Sequence, residues 1–310
     1  MTLTRREAAR ASAGTAAGIA TTGWAPGWAA TGAGGKSLSP AAVRIAAAGD
    51  IGKKPDSGKA TAALIRRINP GLVIPLGDLA YDKEGANYAP WRQFAPITAP
   101  VRGNHDMDSN LRGFHNDFGA KKTSWAHYSF ERASWRIVII DTEADNLAEE
   151  VGFIRRQRAK YPSAPMLVAG HKPFLSSGSS HGGETGMMRG VWKAAVESGV
   201  SVGMFGHDHH GEVFEEQDGL RLFVAGTGGA PTNAPSRNTP GTIFKDEFHG
   251  VLVLDLSPGD SPSPRRTGGT SSTPTGRSVT AAPRSSVASP ASRWAVKPRR
   301  ETHSISPSVA

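Results

Sequence analysis

The chain has 310 residues, 36 Lys and Arg against 27 Asp and Glu, a formal charge of +9, and no cysteine. The missing cysteine excludes disulfides, thiolate metal ligands and a cysteine nucleophile. The charge is concentrated at the ends. Residues 1–36 hold four basic residues and one acid, and residues 261–310 hold eight and one, leaving 24 basic and 25 acidic residues between them. A nucleic-acid-binding core, which needs its charge on the folded surface, loses its support.

In chain order, Thr4-Arg5-Arg6 is followed by an Ala/Gly-rich apolar run from residue 11 to about 20, then by small residues at Ala29-Ala30. That is the layout of a twin-arginine export signal over residues 1–36, so secretion or residence in the cell envelope is expected. The run is too short and too weakly apolar for a stable membrane span, and no other segment offers one.

A catalytic domain is expected over residues 37–257. Val43–Ala48 and residues 72–76 read as short buried strands that end in Gly-Asp, with helical spacing over 59–68 between them. Residues 97–101 lead into Gly103-Asn104-His105-Asp106. Residues 128–130 and 135–140 read as a hairpin around Glu131-Arg132-Ala133-Ser134, and 145–161 as an amphipathic helix with Glu149, Arg156 and Arg158 on its charged face. Met166–Ala169, a helix over 187–197, Val200–Phe205, and strands at 220–225 and 251–256 complete the series. Parallel βαβ units early and antiparallel pairing later predict an α/β fold, with two mixed sheets packed together and flanked by helices. Residues 258–310, rich in Ser, Pro, Thr, Arg and Gly, read as a disordered basic tail. It either contacts anionic cell-surface polymer or is simply solvated.

Five segments carry the chemistry: Gly49-Asp50-Ile51-Gly52, Gly77-Asp78-Leu79-Ala80-Tyr81, Gly103-Asn104-His105-Asp106, Gly170-His171-Lys172-Pro173 and Gly206-His207-Asp208-His209. Most follow a strand-like run, and an open α/β sheet places its site beyond the carboxyl ends of its strands. Taken singly, Asp50 or Asn104 is a turn former, His171 a loop histidine and Tyr81 a packing residue. Taken as an ordered set, they describe a two-metal centre. Phosphate ester hydrolysis needs such a centre to neutralise developing charge and to activate water, with the ions roughly 3.5–4 Å apart. Mixed imidazole and oxygen ligands favour iron, zinc or manganese.

These segments resemble the calcineurin-like metallophosphoesterases, and within them the compact purple acid phosphatases, over about residues 45–229. The resemblance implies a four-layer α-β-β-α sandwich. It also implies Asp50, Asp78, Tyr81 and His209 around a first metal, and Asp78, Asn104, His171 and His207 around a second, with Asp78 bridging. His105 would protonate the leaving oxygen or stabilise phosphate charge, oriented by Asp106. Most of the superfamily carries Asp-x-His in the first segment, whereas Gly52 stands here. The purple acid branch also lacks that His and places a Tyr three residues after the bridging Asp, as Tyr81 stands to Asp78. The resemblance therefore implies Fe(III) in the first site, with Fe, Zn or Mn in the second.

The expected activity is hydrolysis of a small phosphate monoester by metal-activated hydroxide. A phosphodiesterase on the same centre and a non-catalytic phosphate- or metal-binding protein are the competing readings. His210, just after the last motif, reads as exposed, and His181 either reaches substrate from a loop or faces solvent.

Overall fold

The computed structural model describes residues 42–82, 88–108, 111, 112, 118, 126–258 and 291–296. The export signal expected over 1–36 lies outside them. Among the described residues the order is β1 (Val43–Ala48), α1 (Pro55–Ile68), β2 (Leu72–Pro75), a 3-10 helix (Arg92–Ile97), α2 (Asn104–Asp108), β3 (Tyr128–Arg132), β4 (Trp135–Ile139), α3 (Ala148–Lys160), β5 (Met166–Ala169), α4 (Arg189–Glu197), β6 (Val200–Phe205), β7 (Gly211–Phe214), β8 (Arg221–Ala225), β9 (Thr242–Asp246), β10 (Gly250–Leu256) and β11 (Ala291–Val296).

Two mixed sheets result. One runs β11-β10-β1-β2 and the other β3-β4-β5-β6-β8-β7-β9. In the first, β1 and β2 are parallel and β10 is antiparallel to β1. In the second, β4, β5, β6 and β8 are parallel, with antiparallel strands at both margins.

Side chains alternate across a strand, so each strand divides its residues between two layers. Ile45, Ala47, Leu72, Ile74, Leu252 and Leu254 of the small sheet meet Trp135, Ile137, Ile139, Leu167, Val202 and Met204 of the large one. The opposite face of the small sheet, with Ala46, Ala48, Val73 and Val253, packs on Ala62 and Ile65 of α1 and on Trp91. The outer face of the large sheet, with Val138, Val168 and Val224, receives Ile154 of α3 and Val191 and Ala194 of α4. This is the expected four-layer α-β-β-α sandwich. The inner strands β1, β2, β5, β6, β8 and β10 are buried on both faces at their centres, which explains their continuous apolar runs.

Helix α1 begins with Pro55 and ends on Asn69 in the left-handed region, with Arg66 and Arg67 in the last turn. Those are the residues that helix ends favour.

Some elements depart from expectation. Residues 97–101 form no strand; Ile97 ends a 3-10 helix containing Pro96, and Thr98 and Val101 make isolated bridges to Val73 of β2 and to Leu76 just after it. Strands β7 and β9 were not foreseen. Nor was β11, which pairs along β10 from Gly250↔Val296 to Asp255↔Ala291, so the expectation of a wholly unstructured tail does not hold for these six residues.

Candidate metal centre

The carboxyl ends of β1, β2, β5 and β6 converge between the two sheets, and all seven residues expected as ligands meet there. Three of them, Asp50, Asp78 and His207, have φ of 59°, 51° and 70°. Left-handed backbone is uncommon outside glycine, and Asp and His are among the residues that tolerate it. Each turn swings a ligand out of its strand line into the crevice. The β1 and β2 loops are laced together, Asp50 N–H donating to the Gly77 carbonyl at 3.0 Å and Ile51 N–H to Asp78 at 2.9 Å.

Two ligand groups form around Asp78. In the first, Tyr81 Oη lies 3.1 Å from both Asp50 Oδ1 and His209 Nε2, and His209 Nε2 lies 3.2 Å from Asp50 Oδ1. In the second, His171 Nε2 lies 3.2 Å from Asn104 Oδ1, 3.2 Å from His207 Nδ1 and 3.4 Å from Asp78 Oδ1. Ligands held about 2.0–2.2 Å from one ion stand roughly 3.0–3.5 Å from each other, so both groups fit a cation. Asp50, Asp78 and His171 each bring one ligand atom within 4.8 Å of the others.

The second ring nitrogens are already committed, which fixes the orientation of the rings. His171 Nδ1 is 2.8 Å from the Leu76 carbonyl and His209 Nδ1 is 2.7 Å from that of Pro231. Each Nε2 is thereby turned on oxygen acceptors, an arrangement that needs positive charge between them. Proton affinities report the same demand. Burial alone would lower the His171 pKa, yet Asp78, Asp50 and Glu143 raise it to about 10. His209 is raised too, Asp50 outweighing its burial. His207 goes the other way, to about 3, because burial and the neighbouring His171 charge both oppose protonation, so its lone pair stays free. Burial works to raise Asp78, but the His171 charge and hydrogen bond and the His105 N–H hold it well below the carboxylate range. Tyr81 is pushed far up by burial, with Asp50 and Asp78 adding to the effect.

Gly52 occupies the position of the superfamily's usual His. A Cβ there would stand 2.2 Å from the Leu79 carbonyl oxygen and 2.8 Å from Ala80 Cα, so the backbone leading to Tyr81 fills the space a side chain would need.

His105 sits at the mouth, its ring 4.3 Å from that of Tyr81. Its Nε2 is 3.9 Å from Asp78 Oδ2 and its Nδ1 3.3 Å from Asp108 Oδ2. Asp106 is buried, and its carboxylate accepts from the N–H groups of Leu79 at 3.0 Å, Ala80 at 3.3 Å and Gly103 at 2.9 Å. It clamps the Asp78 loop to the Asn104 turn. Burial and the Asp78 charge push its carboxyl well above the usual range.

His181 is exposed, with its ring 4.1 Å from that of His207. His210, read from sequence as exposed, is fully buried, with Nε2 2.9 Å from Glu212 Oε2. The same Glu212 accepts from Ser177 N–H at 2.7 Å, Ser177 Oγ at 2.6 Å and Thr242 Oγ1 at 2.8 Å. A carboxylate with that many donors holds an imidazole inside the fold.

Two supporting residues escaped the sequence reading. Asp208, between the last two ligands, accepts from Ser176 Oγ at 2.5 Å, Gly182 N–H at 2.9 Å and His181 N–H at 3.2 Å, so it seats the loop that carries His181. Thr142 Oγ1 accepts from the N–H groups of His171 at 3.3 Å and Lys172 at 2.9 Å. Its signal was the strand-end rule itself, since Asp141-Thr142 directly follows the apolar run of β4.

Paired mixed sheets between helices, with carboxylate, amide, phenol and imidazole donors gathered at their strand ends, define a metallophosphoesterase fold. A family model described as calcineurin-like phosphoesterase matches residues 43–211, and the chain belongs to that family of metal-dependent phosphoester hydrolases. Solved structures share the fold. GAP50, the anchor in the inner membrane complex of Plasmodium, is 19% identical with a TM-score of 0.57, over 70% of this chain and 81% of that one. Purple acid phosphatase PPD1 from yellow lupin (Lupinus luteus) seeds is 20% identical with a TM-score of 0.56, over 71% of this chain and 50% of that one, so the match spans half of the lupin protein. A dimetal phosphatase from Danio rerio is 13% identical with a TM-score of 0.51, over 69% of this chain and 92% of that one. Comparison with curated proteins gave no match. Among the described residues no helix is long and apolar enough to cross a membrane.

Proposed function

We propose that the protein is an exported phosphomonoesterase of the purple acid phosphatase type, with Fe(III) held by Asp50, Asp78, Tyr81 and His209 and Fe, Zn or Mn by Asp78, Asn104, His171 and His207. The observation that carries this reading is the triangle of Asp50 Oδ1, Tyr81 Oη and His209 Nε2, with sides of 3.1–3.2 Å. It gives the first metal position a phenol where Gly52 denies it an imidazole. Burial and two carboxylates disfavour a free phenolate, so loss of the Tyr81 proton calls for a cation beside its oxygen. When bound, two such ions neutralise phosphate charge and lower the pKa of a coordinated water.

The chain's own groups supply the rest. Asp106 and Asp208 hold the loops from below. In this reading His105, beside the Tyr81 ring, and His181, beside the His207 ring, bind the oxygens of the phosphate ester, and His105 passes a proton to the departing alcohol.

The test is optical and chemical. Purified protein should contain iron and show a visible charge-transfer band that disappears in Tyr81→Phe. It should also turn over an aryl phosphate monoester faster than the matching diester. A colourless, iron-free protein with full activity sinks the iron assignment, and a faster diester rate shifts the substrate class to phosphodiesters.

A further inference from the structure

The fold treats four of the cations near the centre, Arg102, Lys172, Lys53 and Arg237, in two ways. Arg102, beside the Asn104 turn, is paired with Asp141 at 3.2 Å, and Lys172, beside His171, with Glu143 at 2.8 Å. Both acids lie at the end of β4 and are largely buried, so these inner charges are neutralised within the protein. Lys53 and Arg237 are exposed at the rim, and among the described residues neither is paired with a carboxylate.

Their positions are held by the site itself. Lys53 Nζ stands 5.2 Å from the centroid of the Tyr81 ring, on the side of the first ligand group. A cation over an aromatic face is kept in place without losing its charge. Arg237 lies on the other side. Its backbone N–H donates to the Ser177 carbonyl at 3.0 Å and its carbonyl accepts from Lys245 Nζ at 2.5 Å, which fixes the residue against the 176–182 loop. A Cβ on Gly182 would fall 2.3 Å from Arg237 Nη1, so the guanidinium rests on the glycine next to His181. The mouth is thus flanked by one cation behind Tyr81 and another beside His181, neither with a carboxylate partner among the described residues.

We propose that Lys53 and Arg237 form a second anion subsite at the mouth, selecting phosphate esters whose leaving group carries a carboxylate or phosphate of its own. The inference rests on the reading of the centre as the place where the scissile phosphate binds. A leaving group projecting out of the crevice passes between the two cations, and a plain alcohol gains nothing from them.

Two non-hydrolysable probes test it by calorimetry on the metal-loaded full-length protein: phenylphosphonate, and 4-carboxyphenylphosphonate, which adds one anion at the far end of the ring. Wild type should bind the carboxylated probe about tenfold more tightly at low ionic strength, roughly threefold from each exposed charge. Added salt should erase the advantage. The double variant Lys53→Gln, Arg237→Gln should lose the preference while its phenylphosphonate affinity stays within about twofold. Equal affinities in wild type, or a preference that survives in the double variant, overturn the subsite; failure of both probes to bind overturns the phosphate site as well. Turnover of phenyl phosphate on the same preparations separates the two readings. An intact preference without turnover removes the hydrolase reading and leaves the subsite standing.

Discussion

Replacing Thr142 with Val removes one oxygen and keeps the shape, so the effect can be worked from hydrogen bonds alone. Thr142 is fully buried, and its Oγ1 accepts the N–H groups of His171 and Lys172 at 3.3 and 2.9 Å. A buried donor left unsatisfied costs about 1–3 kcal/mol. The longer bond to His171 belongs near the low end, so the pair sums to about 3 kcal/mol. That is a large part of a typical stability of about 5–15 kcal/mol. The consequence for chemistry is larger than for folding, because the N–H that loses its partner belongs to a residue of the second ligand group. Disturbing a support of this kind typically costs 10–100-fold in metal affinity. Urea unfolding gives the first quantity, and metal content after dialysis against a buffered metal series gives the second. Thr142→Ser, which keeps the hydroxyl, should restore metal content even where some stability is lost. A Val variant that retains the second metal like wild type, or a Ser variant that loses it equally, refutes the assignment of Thr142 as a positioning residue for His171.

Glu212→Gln should destabilise the fold by about 1.5–3 kcal/mol, since it takes the charge off a buried acceptor of His210 and turns an amide on the Ser177 and Thr242 donors. The gap should depend on pH. Burial alone would raise the Glu212 pKa, but His210, Ser177 and Thr242 together hold it below the ordinary glutamate value. Its contribution is therefore complete above the unfolded carboxyl range and drains away as pH falls through the folded value. Urea midpoints of the two proteins should converge on acidification, and a constant offset would show that the charge of Glu212 plays no part. Gly52→His should not build the superfamily's usual ligand. Its Cβ would meet the Leu79 carbonyl at 2.2 Å, so the variant should melt well below wild type, and one that melts like wild type with an extra metal ligand would count against the steric account of Gly52.

How much of this was visible beforehand depends on how local each signal is. The buried strands β1, β2, β5 and β6 announced themselves because both faces are apolar, and their ligands because a strand must end before a polar group can enter the crevice. Pairing partners carried no such signal. Strand β7 has Glu212 at its centre and reads as a loop until the donors from Ser177, His210 and Thr242 are seen around it. The same pair misled the reading of His210, since nothing in the motif says that its neighbour two residues on is a buried acceptor. Strand β9 is an edge, half-exposed and irregular opposite Val213 and Phe214, and it lacks the alternation that marks a buried strand. In the site, the residues expected to touch metal came together as a set, while those that hold them, Thr142 and Asp208, act through backbone amides and leave no spacing to recognise. Asp106 was singled out as a partner of His105, but its carboxylate takes three backbone amides instead, and the acid beside His105 Nδ1 is Asp108 at 3.3 Å.

The antiparallel register of β1 against β10, from Val43↔Leu256 to Ala47↔Leu252, has a consequence for the order in which the protein is made. The Arg44–Asp255 ion pair closes a separation of 211 residues, and the Asp50 carboxylate waits for the His207 amide 157 residues later. Such distant pairings form slowly and late. A growing chain carries its first ligand from the start of synthesis with nothing to close it against. Metal capture by the complete ligand set is therefore a record that both sheets have assembled, and a chain cut before β10 should remain without it however many of the ligands it contains.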